Sequence, residues 1–255
     1  MNGSLVAMAS VFGLMLGSFL NVCISRLPEG ESVVTPRSRC PSCRTPIAWF
    51  DNVPVLSYLL LGGRCRGCRT PISMRYPVIE GVTALAFAMQ AAVYGDDPLL
   101  LASRLALTAL LIALFGTDLE TQRLPNALTY PGIVAGLAFS AVLPPGMLSS
   151  VIGAIVGAGM LLAIRWVWWQ IKRVDAMGLG DVKMLAMVGA FLGWQQVWLV
   201  LLFASLTGAA VGIVLTIAQS RSMQSRLPFG TFLAVAAFLA SLFGERVIDW
   251  YVGFL

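Results

Sequence analysis

Eight apolar windows govern what this chain can fold into. They lie at roughly 4–24, 77–94, 99–117, 127–143, 147–164, 183–195, 197–218 and 229–243, and a helix needs about 20 apolar residues to cross a hydrocarbon core of about 30 Å. Two windows are short or abut a neighbour, so the pattern predicts seven to nine spans, taken here as eight. Only 11% of the residues are charged and 58% are hydrophobic, whereas a soluble domain carries about 25% charged residues. The expected fold class is therefore all-α: a polytopic membrane helix bundle. No small-residue cleavage site follows the first window, which predicts an ordinary span rather than a removable signal.

The basic residues set an orientation. Arg26, Arg37, Arg39, Arg44, Arg64, Arg66, Arg69 and Arg75 lie between the first and second windows. Arg123, Arg165, Lys172, Arg173, Lys183, Arg221 and Arg226 fall in later connections on the same side, and only Arg104 and Arg246 fall near the opposite one. Fifteen of seventeen on one side is a strong positive-inside signal, so the N-terminus is expected outside and the basic connections in the cytoplasm. The formal net charge is only +5 and sits at span ends, which predicts contact with membrane lipid and no nucleic-acid partner. Three regions are expected: a first span at 1–24, a cytoplasmic loop at 25–76 and a multi-span core at 77–255.

The loop repeats itself, "RCPSCRTPI" at 39–47 and "RCRGCRTPI" at 64–72. Two Cys-x-x-Cys knuckles supply four thiolates, Cys40, Cys43, Cys65 and Cys68, which can close a tetrahedral site suited to zinc. With every position taken by cysteine, such a metal is structural rather than catalytic. Two disulfides or a redox pair are the competing readings, and a cytoplasmic location disfavours the disulfides. Cys23 lies inside the first window as a small packing residue.

The chain has no histidine, which excludes Ser-His and Cys-His catalysis and histidine-ligated metals. Acid–base chemistry then falls to other groups, and two of the twelve acids stand apart. Asp118 closes the third window, and Asp181 opens the sixth behind Gly178 and Gly180. By the orientation above both reach the cytoplasmic face at similar depth. That is the requirement of an aspartyl protease, in which two carboxylates share a proton across one water. Gly178 and Gly180 are expected to turn the backbone tightly beside a substrate strand. Capping of the sixth span is the plain alternative for Asp181, whereas Asp118 sits at a helix C-terminus where the dipole disfavours a carboxylate. Lys183 reads as a snorkelling side chain.

Taken together, the segments resemble the bacterial type IV prepilin peptidases, the prepilin leader peptidase/N-methyltransferases. The resemblance runs through "GSFLNVCISRLP" (17–28), the two knuckles, "DNVPVLSYLLLGGRC" (51–65), "RYPVIEG" (75–81), "DLETQRLPN" (118–126), "GLGDVK" (178–183) and "LPFGTFLA" (227–234). It implies an inner-membrane aspartyl protease that cuts the basic leader from prepilins or pseudopilins on the cytoplasmic side, with Asp118 and Asp181 at the two catalytic positions. It also implies N-methylation of the new N-terminal residue from S-adenosylmethionine, an activity associated with the zinc loop. Asn21, Arg26 and Glu80, at the membrane junctions of the loop, are the candidates for lining the donor site; packing or interface anchoring is the plainer role for each. Three positions depart from the family pattern: Asn126 stands where a second acid is frequent, Ser25 where histidine is common, and Thr231 where proline is usual.

Three rival functions fit parts of the pattern. A general intramembrane aspartyl protease would keep the aspartates without needing the zinc loop. A proton- or ion-coupled transporter would want its acids near the bilayer midplane. A non-enzymatic, zinc-clipped assembly factor would tolerate loss of either aspartate.

Overall fold

The computed structural model describes residues 3–174, 177–219 and 228–253. Arg221, Arg226 and Leu227 lie outside the described residues. Among the described residues the regular structure is helical. The helices are α1 (Gly3–Arg26), α2 (Leu56–Leu60), α3 (Arg75–Tyr94), α4 (Pro98–Thr121), α5 (Asn126–Ser140), α6 (Met147–Lys172), α7 (Leu179–Leu192), α8 (Trp194–Gln219) and α9 (Phe229–Val252). Among the described residues six stretches are long and apolar enough to cross a membrane: Gly3–Glu29, Arg75–Tyr94, Pro98–Thr121, Met147–Lys172, Trp194–Ala218 and Phe229–Val252. The protein is thus a multi-pass membrane protein. The windows at 127–143 and 183–195 fold as α5 and α7, with 15 and 14 residues. At about 1.5 Å per residue each is roughly 22 Å long, short of the hydrocarbon core.

The chain divides into two compact units, Met1–Ala113 and Leu114–Leu255, with the boundary inside α4. In the first unit α1 and α3 run antiparallel in a four-residue register. A Cβ on Gly13 would lie 2.8 Å from Ala84 Cα, one on Gly17 would lie 2.7 Å from Glu80 Cα, and Asn21 Nδ2 donates to the Tyr76 carbonyl at 3.1 Å. Each step of one turn up α1 meets one turn down α3, and small residues let the backbones touch. Phe87, Ala91 and Leu101 close this unit's apolar core with Ala9.

The second unit is built around α7. Eleven of its 14 residues are buried, and α5, α6, α8 and α9 all pack against it. A helix enclosed by protein need not match the bilayer thickness, which explains its short length despite its apolar sequence. Lipid tails are as apolar as the side chains, so these helices associate through close packing and polar links rather than through water exclusion. Gly153 of α6 faces Gly189 of α7, and a Cβ on Gly153 would stand 2.5 Å from the Gly189 carbonyl oxygen. One turn along, a Cβ on Gly157 would stand 2.7 Å from the Leu185 carbonyl. A polar link joins these two helices to α5, as Ser150 Oγ donates to Ser140 Oγ at 2.7 Å and Ser140 Oγ to the Ala190 carbonyl at 3.0 Å.

This seam has no room for a side chain, and overpacking costs about 1–3 kcal/mol. Gly157→Leu is therefore expected to lower the melting temperature of the solubilised protein by on the order of 5 °C. Gly159→Leu, on a face with nothing within 4 Å, is the control that should leave it unchanged. Equal melting of the two variants would refute the seam.

Candidate functional site

Both singled-out aspartates belong to the second unit, and both are buried, Asp118 at 5% and Asp181 at 8% exposure. A buried carboxylate costs free energy unless polar groups answer it. Asp118 stands one turn before the end of α4, where Gln122 takes a left-handed conformation (φ 51°) and its N–H donates to the Asp118 carbonyl at 2.9 Å. The side chain reaches the start of α9, whose first amides have no partner within their own helix. The Thr231 N–H donates to Asp118 Oδ2 at 2.8 Å, and the Gly230 amide is a second donor. This answers the awkward dipole at the end of α4: the carboxylate lies against the positive end of another helix.

Asp181 lies in the first turn of α7, after Gly178 as N-cap. Its charge interacts with that of Asp118, and the Gly178 amide lies against its carboxylate. Leu124 packs between the two acidic segments. A Cβ on Gly180 would stand 2.9 Å from Leu124 Cβ, and one on Gly230 would stand 3.1 Å from Leu124 Cδ1 and 2.9 Å from Asp118 Oδ2. Gly180 lies in the first turn of α7 and its missing side chain makes room for Leu124 of the chain itself. Gly178 has an extended backbone (φ −72°, ψ 147°) with 3.6 Å of clearance to its nearest neighbour, so its local geometry admits a side chain.

Two long basic side chains secure the segment. Arg165 Nη1 donates to the Met177 carbonyl at 2.9 Å, and Lys183 Nζ donates to Asn126 Oδ1 at 2.6 Å while lying 5.4 Å from the Tyr130 ring centroid. Lys183 thus ties the start of α7 to the start of α5 as well as reaching outward.

In the first unit the four cysteines converge, with all their Sγ atoms within 4.8 Å of one another. Cys40 and Cys68 sulfurs lie 3.8 Å apart, and Cys43 and Cys65 sulfurs 4.0 Å. Four sulfurs about 2.3 Å from a tetrahedral metal sit about 3.8 Å from each other, whereas a disulfide needs about 2.05 Å. The cluster therefore has the dimensions of a metal site. The repeated sequence produces a repeated fold: Arg44 and Arg69 both take positive φ (58° and 60°), and the Cys40 and Cys65 amides donate to Thr45 and Thr70 carbonyls at 3.0 and 2.9 Å. Hydrogen bonding with Thr70 pushes the Cys68 thiol down to about 6, and Thr45 lowers Cys43 in the same way. Thiolates are the form a metal takes.

Comparison with known proteins places these residues in a family. Residues 105–213, which hold both aspartates, match the type IV leader peptidase family, and residues 11–94, which hold the four cysteines, match the bacterial peptidase A24 N-terminal domain. The chain belongs to the type IV leader peptidase family. It is 40% identical over 269 residues to a prepilin leader peptidase/N-methyltransferase of Aeromonas hydrophila, covering 95% of this chain and 92% of that one. A protein of the same name from Aeromonas salmonicida (strain A449) is 38% identical over 270 residues with the same coverage. One from Myxococcus xanthus (strain DK1622) is 44% identical over 215 residues, covering 83% of this chain and 63% of that one. No solved structure matches.

Within this family member the remaining candidates separate. Asn21 and Glu80 both occupy the α1–α3 seam: Asn21 Nδ2 also donates to the Gly17 carbonyl at 3.2 Å, and Glu80 Oε2 accepts the Val55 N–H at 2.7 Å. Arg26 points elsewhere, donating from Nη1 to the Ser32 carbonyl at 2.9 Å. The departures from the family pattern also acquire contacts. Ser25 accepts Arg75 Nη2 at 2.6 Å, Asn126 accepts Lys183, and Thr231 offers Asp118 an N–H that proline lacks. The α9 amides are the site feature that sequence analysis missed. "PFGT" is legible only as part of a family-like segment, because its partner lies 113 residues away.

Gly230→Ala places a methyl against the Asp118 carboxylate. Peptide cleavage is expected to fall on the order of 10²-fold with the melting temperature nearly unchanged, because misplacement by a fraction of an ångström is costly at a reacting group. Cleavage at the wild-type rate would refute the cradle. For the cysteine cluster, elemental analysis of the purified protein should give about one zinc per chain, and Cys68→Ser well below that. Full zinc in the variant would place the metal elsewhere.

Proposed function

We propose that this chain removes the leader peptide of type IV prepilins or pseudopilins at the cytoplasmic face of the inner membrane and N-methylates the residue so exposed. The observation that carries the reading is the meeting of two buried carboxylates, Asp118 and Asp181, in a member of a leader peptidase family. The names of the relatives supply both activities.

In this reading Asp118 and Asp181 flank the attacking water. One carboxylate takes its proton as the oxygen attacks the scissile carbonyl, while the other donates a proton to the carbonyl oxygen and later supports departure of the amine. The Gly230 and Thr231 amides hold Asp118 in register, and Gly180 lets Leu124 pack against the segment that bears Asp181. The substrate's apolar helix lies alongside the spans with its basic leader in the cytoplasm.

Eight crossings complete the topology, with α5 and α7 as short ones, α7 enclosed by its neighbours, and the N-terminus outside. The domain order is a first span at 1–24, a zinc-bearing cytoplasmic loop at 25–76 and a peptidase core at 77–255. Zinc at Cys40, Cys43, Cys65 and Cys68 is structural, since no ligand position remains open. S-adenosylmethionine brings an electrophilic methyl group on a sulfonium cation. Asn21 and Glu80 line its site, while Arg26, bonded to the Ser32 carbonyl, stays outside it. Asn21 is buried with its Oδ1 unpaired, and that oxygen and the Glu80 carboxylate are acceptors of the kind a cationic donor requires.

The test is a cleavage assay in membranes with a prepilin, read by mass spectrometry with and without S-adenosylmethionine. Wild type should release the leader and add a methyl group of about 14 Da. Asp118→Asn and Asp181→Asn should each slow cleavage by on the order of 10³-fold. Cleavage that persists in both variants would remove the pair from the chemistry.

A further inference from the structure

The segment between α1 and α3 carries apolar side chains on its outside. Trp49 is 80% exposed, Leu59 68% and Leu60 77%, and Leu56 and Phe50 are also exposed. Leu56, Leu59 and Leu60 follow the i, i+3, i+4 spacing of one helix face, while Ser57 between them is buried and donates to the Phe50 carbonyl at 3.0 Å. That bond fastens the Trp49–Asn52 turn to α2, so the aromatic and leucine side chains belong to one folded piece. Such a patch has the polarity of a core surface with no protein on it.

The height of this patch relative to the bilayer follows from one contact. The Val55 N–H, at the start of α2, is bonded to Glu80. Glu80 lies five residues into α3, a span, and so about 7.5 Å along its axis at about 1.5 Å per residue. The leucine face of α2 therefore lies level with the end of a membrane helix, where headgroups give way to acyl chains. Both ends of the segment are tied to that level by α1 and α3. The segment the patch belongs to carries eight arginines between residues 26 and 75 against three acids, Glu29, Glu31 and Asp51. Arg66 lies 5.5 Å from the Phe50 ring centroid and is paired with Asp51 at 2.6 Å, so the charge left for headgroups comes from the other arginines.

We propose that the Trp49–Leu60 segment is an interfacial anchor that inserts Trp49, Phe50, Leu56, Leu59 and Leu60 into an anionic lipid leaflet, with arginines flanking it in sequence on the headgroups. Short apolar faces flanked by basic residues bind membranes in this way, and neither part suffices alone. The anchor holds the cysteine knuckles flat on the membrane rather than free in solution. It depends only on the membrane placement of α1 and α3, so it stands or falls separately from the proposed enzymatic reading.

The full chain would be placed in nanodiscs with or without phosphatidylglycerol, and Trp49 emission isolated as the difference between wild type and Trp49→Phe. In anionic discs, lipids brominated near the glycerol end of their chains should quench that emission roughly two-fold, and aqueous acrylamide should reach it poorly. The double variant Leu59→Glu/Leu60→Glu should restore acrylamide access several-fold. Trp49 open to acrylamide and untouched by brominated lipid would overturn the anchor. Shielding from both quenchers would overturn it in favour of a protein occupant, whether a second copy or a substrate helix. Equal quenching in discs without phosphatidylglycerol would overturn the anionic requirement, and an unchanged double variant would exclude the leucine face.

Discussion

A carboxylate buried in an apolar bundle must be met by donors, and that requirement organises the second unit. The donors for Asp118 are main-chain amides at the start of α9, so α9 must begin where α4 ends. Asp181 sits in the first turn of α7, so α7 must begin there as well. Three helix ends are thereby fixed at one place, and Leu124 fills the space between them. Desolvating an ion costs several kcal/mol, and fixed amide dipoles offset that cost without needing to reorganise.

Much of this was legible in the sequence. The apolar windows correspond to helices, the duplicated knuckle corresponds to a four-sulfur cluster of metal-binding size, and both singled-out aspartates are buried at helix ends that Leu124 bridges. Each signal is local or repetitive: hydropathy over about 20 residues, a Cys-x-x-Cys spacing, an acid at the end of an apolar run. What composition could not resolve was whether an apolar run faces lipid or protein. α7 is as apolar as its neighbours yet only 14 residues long, because protein surrounds it. Nor could sequence analysis pair Gly153 with Gly189, or Thr231 with Asp118. These are contacts between distant segments through backbone atoms, which leave no charge or hydropathy signature.

The two units share a packing device. Gly13 and Gly17 of α1, like Gly153 and Gly157 of α6, lie four residues apart and let a neighbouring helix approach to backbone contact. In the first unit the seam also carries the polar links that fasten the cysteine segment, through Asn21 to Tyr76 and Glu80 to Val55. In the second it carries the serine chain from α6 through α5 to α7. Small residues bring the helices close, and hydrogen bonds then fix their register.

The Thr231 contact has a consequence for how such a site is found by mutagenesis. Its donor is the main chain, so exchanging the side chain for alanine leaves the N–H in place and deletes only the hydroxyl bonded to the Pro228 carbonyl. An alanine scan would pass over a group that touches a buried carboxylate. A proline scan would stop at it, since imino nitrogen has no hydrogen to give. Part of the site's chemistry is thus written in backbone direction rather than in residue identity, and side-chain variation at position 231 leaves that donor intact so long as it avoids one amino acid.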